Sequence, residues 1–90
     1  MIVVNIKYST NFVKQLKPLP KQVIVLAVNK ERIFKVNPLH PFLRLHQLHG
    51  QLMGLWSLSI SRNYRIIFKR QDNGDIVFIS IGQHDLYRNL

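Results

Sequence analysis

The dipeptide Asn73-Gly74, placed between two apolar segments, constrains the fold of this chain more than any other feature. Asn-Gly flanked by hydrophobic runs is the strongest short-range signal of a β-hairpin, because both residues tolerate the positive φ angles of tight turns. It predicts a hairpin between strands at residues 64–70 and 76–81. The C-terminal half should therefore be an antiparallel sheet.

The segments outside this hairpin add two more predicted strands. Residues 55–61 alternate with period two, and Arg62-Asn63 is a candidate tight turn into the next strand. At the N-terminus, residues 2–6 are β-branched and apolar and predict an opening strand. The last three predicted strands form a meander, which the N-terminal strand joins.

Two helices are predicted between the first strand and the meander. Ser9 or Thr10 offers an N-cap to a short helix that Pro18 ends. Residues 20–35 give a conflicting signal, because the apolar run inside them taken alone resembles a buried strand. We predict a helix there, since the proline at its start suits a first helical turn and several of its apolar residues map to one face.

A long connection at residues 38–50 follows the second helix. It is either irregular or contains a short strand near residues 43–48. A loop of this length in a small domain is more often functional than idle.

This order of elements predicts an α+β fold. An N-terminal strand and a two-helix hairpin precede a three-stranded antiparallel meander, and all strands form one twisted sheet with both helices on one face. The chain has 90 residues, which is enough for one modest core, so residues 1–90 are predicted to be a single domain.

The net charge narrows the class of partner. Thirteen Lys and Arg against four acidic residues give a formal charge of +9. Such an excess in a folded domain indicates a surface that meets a polyanion, with nucleic acid first among the candidates. The alternatives are a ribosomal or chromosomal protein with scattered lysines and a basic partner of one acidic protein. No apolar run approaches the roughly 20 residues that span a bilayer, so we expect a cytoplasmic protein and no membrane.

The candidate chemistry depends on histidine, arginine and tyrosine. The chain has no cysteine, and although His46 and His49 have a spacing found in metal sites, almost no carboxylate is available to complete one. We therefore expect neither metal nor cofactor. Imidazoles transfer protons near neutral pH and arginines neutralise a phosphate in a transition state, so this set suits a metal-independent ribonuclease.

Three segments together resemble a known family. They are LHGQLMGLWSL at residues 48–58, YRIIF at residues 64–68 and ISIGQH at residues 79–84. Their order and spacing resemble the RelE/ParE superfamily of bacterial toxins, with the histidine-bearing YafQ-like branch nearest. The resemblance covers residues 45–88, and the strand-helix-helix start matches the family's topology in the remainder.

The resemblance implies a toxin of a type II toxin–antitoxin system. Many members are ribosome-dependent mRNA endoribonucleases (mRNA interferases) that cut mRNA in the ribosomal A site and so inhibit translation. The implied catalytic residues are His84, His46, Arg65 and Tyr87, and Tyr64 falls on an aromatic position of the family. Arg62, Lys69 and Arg88 supply a basic rim, so the predicted substrate-binding residues are Tyr64, Arg62, Lys69 and Arg88. The implied partners are the ribosome, its mRNA and a cognate acidic antitoxin.

Two other functions stay open from the sequence. Ser59 and Asn63 stand where the YafQ-like branch has a histidine and an aspartate. A chain without a complete catalytic set could be a ParE-like inhibitor of DNA gyrase, or a non-catalytic basic module that binds nucleic acid or protein.

Overall fold

A computed structural model describes residues 2–3 and 5–83 of the chain. Its elements are, in chain order, β1 (Ile6–Tyr8), α1 (Thr10–Leu16), α2 (Lys21–Val36), β2 (His46–Gln47), β3 (Leu55–Ser59), β4 (Arg65–Arg70) and β5 (Ile76–Gly82). Short 3₁₀ turns at Pro41–Leu43 and Gly50–Leu52 flank β2. The predicted α+β class is confirmed, and no helix in the described ranges is long and apolar enough to cross a membrane.

Among the described residues, five strands form one sheet in the order β1-β5-β4-β3-β2. The meander of β3, β4 and β5 is antiparallel, as predicted. The sheet is mixed, however, because β1 lies parallel to β5 at one edge. At the other edge, β2 pairs antiparallel with β3, which confirms the short strand that was one of the alternatives for residues 38–50.

The first strand is later and shorter than the predicted residues 2–6. It begins at Ile6, whose partner on β5 is Ile76. Ile76 is also the first residue of β5, directly after the hairpin loop, so among the described residues the parallel pairing begins at Ile6. The Ile76 N–H donates to the Asn5 carbonyl at 2.8 Å, which closes this end of the pairing.

The hairpin between β4 and β5 forms at the predicted place. The Gln71 N–H donates to the Asp75 carbonyl at 2.7 Å, which leaves residues 72–74 as the loop. Gly74 has a φ of +92° in this loop. Only glycine adopts that angle without strain, which explains the glycine of the motif.

Both helices pack on one face of the sheet, as predicted. The Ser9 hydroxyl caps α1 by accepting from the Phe12 N–H at 3.0 Å. Phe34 of α2 is fully buried, and its ring lies 5.1 Å from that of Phe68 and 6.2 Å from that of Phe78, centroid to centroid. Trp56 stacks on Phe68 at 6.2 Å and belongs to this core rather than to a ligand site.

A glutamine on α1 fixes the last strand. The register of β4 with β5 shifts between Ile67 and Phe68, so that β5 contains a bulge. The Gln15 Oε1 atom accepts from the Ser80 hydroxyl at 2.7 Å and from the Ile81 N–H at 2.9 Å, beside that bulge. A β-bulge bends the strand that contains it, and Gln15 holds the two residues that follow the extra residue Ile79.

Candidate active site

Alternation along β4 separates the core side of the sheet from the side that faces away from the helices. Ile66 and Phe68 pack into the core with the helices, so Arg65 and Lys69 point to the opposite side. Directly opposite residues of neighbouring strands share a face. Ser59 lies opposite Arg65, and Ser57 lies opposite His46. We call this side, marked by His46, Ser57, Ser59, Arg65 and Lys69, the helix-distal face.

The sheet register brings His46 and Arg65 to this face at a moderate separation. They lie two strands apart, and their partners on β3, Ser57 and Ser59, are two residues apart. Strand spacing and rise place their Cα atoms roughly 12 Å from each other. Long side chains can span that gap around a single phosphodiester with its two flanking sugars.

The exposed ring of His46 is oriented by a backbone carbonyl. Its Nδ1 atom lies 3.2 Å from the Arg44 carbonyl oxygen. Because a carbonyl oxygen only accepts, Nδ1 holds the hydrogen, and in the neutral ring Nε2 keeps a free lone pair. His46 can therefore take a proton at Nε2 and return it.

A cleft of about 660 Å³ opens where β3 ends and β4 begins. Four cationic residues line it: Lys30 from α2, Arg44 after the 3₁₀ turn, and Arg62 and Arg65 around the β3–β4 turn. The remaining lining residues are Pro41, Phe42, Ser59, Ile60 and Ser61. We call this the cationic cleft.

The carboxylates of the described residues lie away from this cleft. Glu31 accepts the Tyr8 hydroxyl and pairs with Lys35 at 3.7 Å, while Asp75 pairs with Lys7 at 3.2 Å. Burial raises the pKa of Tyr8 to about 12, and its contact with Glu31 adds to that rise. In the described part of the chain, no Asp or Glu lines the cationic cleft, so its field favours an anion.

The backbone at Arg44 is strained. Its φ is +46°, and it is the one non-glycine residue with a positive φ in the part of the chain that the structure describes. The Arg44 N–H closes the 3₁₀ turn on the Pro41 carbonyl at 3.2 Å, while its own carbonyl faces His46. Strain of this kind persists where the surroundings impose it and clusters at functional sites.

The site residues predicted from the sequence lie in different parts of the structure. Arg65 and Arg62 line the cationic cleft, and His46 shares the helix-distal face with Arg65. Lys69 lies at the far end of β4, in a separate exposed hollow. Tyr64 packs against the core, and its hydroxyl accepts from Gln83 Nε2 at 3.1 Å.

Three predicted site residues, His84, Tyr87 and Arg88, lie outside the described residues. Of the two other histidines, His40 caps the 3₁₀ turn, because its Nδ1 accepts from the Phe42 N–H at 3.1 Å. His49 is exposed and stands before Gly50–Leu52. Among the residues described, no three His, Asp or Glu side chains converge on a possible metal position.

Sequence reasoning missed Lys30, Phe42 and Arg44 as members of the cleft. The signal available was the length of the connection at residues 38–50, which indicated function without saying which side chains supply it. Lys30 is on α2, and only the packing of the 3₁₀ turn against that helix brings the two together: Lys30 Nζ donates to the Phe42 carbonyl at 3.4 Å.

Comparisons with known proteins bear on the fold. No protein-family model and no curated protein sequence matches the chain. Solved structures do match. YafQ from E. coli strain BL21(DE3) superposes with a TM-score of 0.74 at 21% identity, over 89% of this chain and 92% of that one. A YoeB/ParE toxin from Agrobacterium tumefaciens gives 0.75 at 14% identity, over 90% and 99%.

A third match is to a structure of two proteins together. The E. coli DinJ-YafQ toxin-antitoxin complex gives a TM-score of 0.72 at 21% identity, covering 89% of this chain and 91% of that chain. At these identities the likeness establishes the fold. The chain has the fold of the RelE- and ParE-type toxins, as the sequence motifs implied.

Proposed function

We propose that this chain is the toxin of a type II toxin–antitoxin system and acts as a ribosome-dependent mRNA endoribonuclease. The observation that supports it best is the cationic cleft, which is free of carboxylates among the described residues and adjoins a face that presents a histidine. The shared fold with YafQ and with the YoeB/ParE toxin supports the same proposal.

The proposed reaction is attack of a ribose 2′-hydroxyl on the adjoining phosphate. A base removes the 2′ proton, the new P–O bond forms as the bond to the 5′ oxygen breaks, and an acid protonates that oxygen. The products are a 2′,3′-cyclic phosphate and a 5′-hydroxyl end. His46, with Nε2 available, and His84 divide the two proton transfers in this proposal.

Arginine supplies the charge neutralisation. Arg65 is half-buried on β4, so its guanidinium is held by a strand rather than by a loop. A guanidinium donates two parallel hydrogen bonds to a phosphate, which matches the charge that builds on the non-bridging oxygens. Arg62 adds a second cation from the β3–β4 turn. Tyr87 and Tyr64 stay in the proposal on the resemblance alone, and Lys69 and Arg88 on their charge alone.

The test is expression of the chain alone in growing bacteria, with mRNA ends mapped by sequencing. We expect growth arrest with new 5′-hydroxyl ends in translated mRNA, and loss of both in Arg65→Ala and His84→Ala. Arg65→Lys keeps the charge but not the paired hydrogen bonds and should be intermediate. Lys17→Ala, on the exposed end of α1, is the matched control.

Two results would refute the nuclease. If Arg65→Ala and His84→Ala were as toxic as the wild type, Arg65 and His84 would not be the catalytic residues. An SOS response with intact mRNA would indicate gyrase inhibition instead.

An acidic antitoxin follows as a partner. A toxin must be inhibited by a binding partner when it is not active. Because this chain has a charge of +9, an acidic segment that folds on binding is electrostatically complementary to the cationic cleft. Co-expression with the adjacent reading frame should yield a soluble complex and normal growth. Harmless expression of the chain by itself would contradict this.

A further inference from the structure

Phe42 borders the cationic cleft with most of its ring in water. It is 67% exposed, while its neighbour Leu43 is fully buried. A single exposed apolar residue is ordinary on a protein surface. Phe42 differs because it lines the same cleft as Lys30, Arg44, Arg62 and Arg65.

Several contacts hold Phe42 in this exposed position. Its N–H donates to His40 Nδ1 at 3.1 Å, and its carbonyl accepts from Lys30 Nζ at 3.4 Å. The His40 ring lies 4.7 Å away, and Lys30 Nζ lies 5.4 Å from the ring centroid. Pro41 before it and the buried Leu43 after it restrict the backbone further. The ring is thus ordered before any ligand arrives.

An ordered aromatic ring beside a cationic groove is the combination that binds single-stranded nucleic acid. Cations track the phosphates, and successive bases stack on aromatic rings. A double helix has no free base face to offer, so the feature selects an unpaired strand. A peptide partner would neutralise the cations but has no base to place on the ring.

We infer that Phe42 is a stacking platform for one base of single-stranded RNA whose adjoining phosphate lies in the cationic cleft. The inference rests on the proposed function only in taking RNA as the ligand. It assigns a binding role to the 3₁₀ turn Pro41–Leu43, which contributes Pro41 and Phe42 to the lining of the cleft.

The test is a binding cycle that pairs removal of the ring with removal of the base. The full-length chain is titrated against fluorescent 2′-O-methyl RNA decamers, which cannot undergo 2′-hydroxyl attack, and against the same decamers with one abasic position moved along the strand. Base stacking on an aromatic ring predicts that Phe42→Ala lowers affinity about 5- to 100-fold. One abasic position should cause a similar loss in the wild type and little further loss in Phe42→Ala.

Controls separate stacking from general apolar contact. Phe42→Trp should bind at least as well as the wild type, whereas Phe42→Leu should resemble Phe42→Ala. Val36→Ala removes a more exposed apolar side chain outside the cleft, at 84% exposure, and should leave affinity unchanged. A deoxy decamer of the same sequence shows whether the sugar matters.

Each outcome decides the inference. No binding of RNA, an unchanged affinity in Phe42→Ala, or additive losses in the cycle would overturn it. The outcome of this binding cycle does not depend on the outcome of the mRNA mapping that tests the proposed nuclease. Cleavage with additive losses keeps the nuclease and refutes the platform, whereas coupled losses without cleavage keep the platform and refute the nuclease.

Discussion

Replacement of Gln15 by methionine should destabilise the protein and shift the end of β5. Methionine has nearly the length and helix propensity of glutamine but no strong acceptor, so the Ser80 hydroxyl and the Ile81 N–H lose their shared partner. Ser80 and Ile81 are 1% and 2% exposed, so water does not replace that acceptor.

The expected cost follows from those two bonds. A buried N–H left without a partner costs about 1–3 kcal/mol, and the lost hydroxyl bond adds about 0.5–1.5 kcal/mol. The total is about 1.5–4.5 kcal/mol, and its middle value near 3 kcal/mol lowers the melting temperature of a domain of this size by roughly 12–24 °C. Gln15→Glu keeps an acceptor oxygen and should retain most of the stability.

Thermal denaturation of the purified variants measures this directly. Gln22→Met, at an exposed position on α2, is the matched control and should melt within about 2 °C of the wild type. Ser80→Ala should cost less in the Gln15→Met background than in the wild type, because the two residues share one bond. A melting temperature of Gln15→Met equal to that of Gln22→Met would refute the role given to Gln15.

Three further results are expected. The Lys7 ammonium lowers the pKa of Asp75, with help from two asparagine amides, so this carboxylate stabilises the fold above pH 3.8 and the contribution is lost as pH falls through the lowered pKa. The difference in melting temperature between the wild type and Asp75→Asn should therefore shrink as the pH is lowered below 3.8. A difference that stays constant with pH would contradict this. His46→Gln should slow cleavage in single-turnover assays about 100-fold or more while leaving RNA affinity nearly unchanged, because the amide cannot take and return a proton; an unchanged rate would make the histidine a bystander. Arg44→Gly should relieve the strain at φ +46° and raise the melting temperature while weakening RNA binding, and a lower melting temperature would argue against strain.

The parts of the fold predicted correctly are those with local causes. The β4–β5 hairpin depends on residues within a few positions of Gly74, and the N-cap of α1 on Ser9. Residues 21–36 contain an apolar run typical of a strand, yet they form α2, in which Val23, Ala27 and Phe34 are buried and Val25 and Val28 are half exposed. Helical spacing of the large residues decided this, and it was visible in the sequence.

The cationic cleft depends on distant contacts and could be predicted only in part. Arg62 and Arg65 lie close together in the chain, in the β3–β4 turn and at the start of β4, and both were predicted as site residues. Lys30 joins them through its bond to the Phe42 carbonyl, twelve residues along the chain. No local pattern specifies that contact, nor the positive φ of Arg44, which exists because Leu43 enters the core while both its neighbours stay in the cleft.

Leu43 explains how like charges can be kept together at this cleft. Burial of a leucine side chain contributes about 1.5–3 kcal/mol, whereas Arg44 at about 8 Å in water from each of three other cations is repelled by ~0.5 kcal/mol per pair, or ~1.5 kcal/mol in all. The apolar term is at least as large, so the turn stays attached although it adds Arg44 to three other cations. An anion that enters the cleft removes the repulsion and leaves the burial unchanged. Binding of RNA should therefore stabilise this turn.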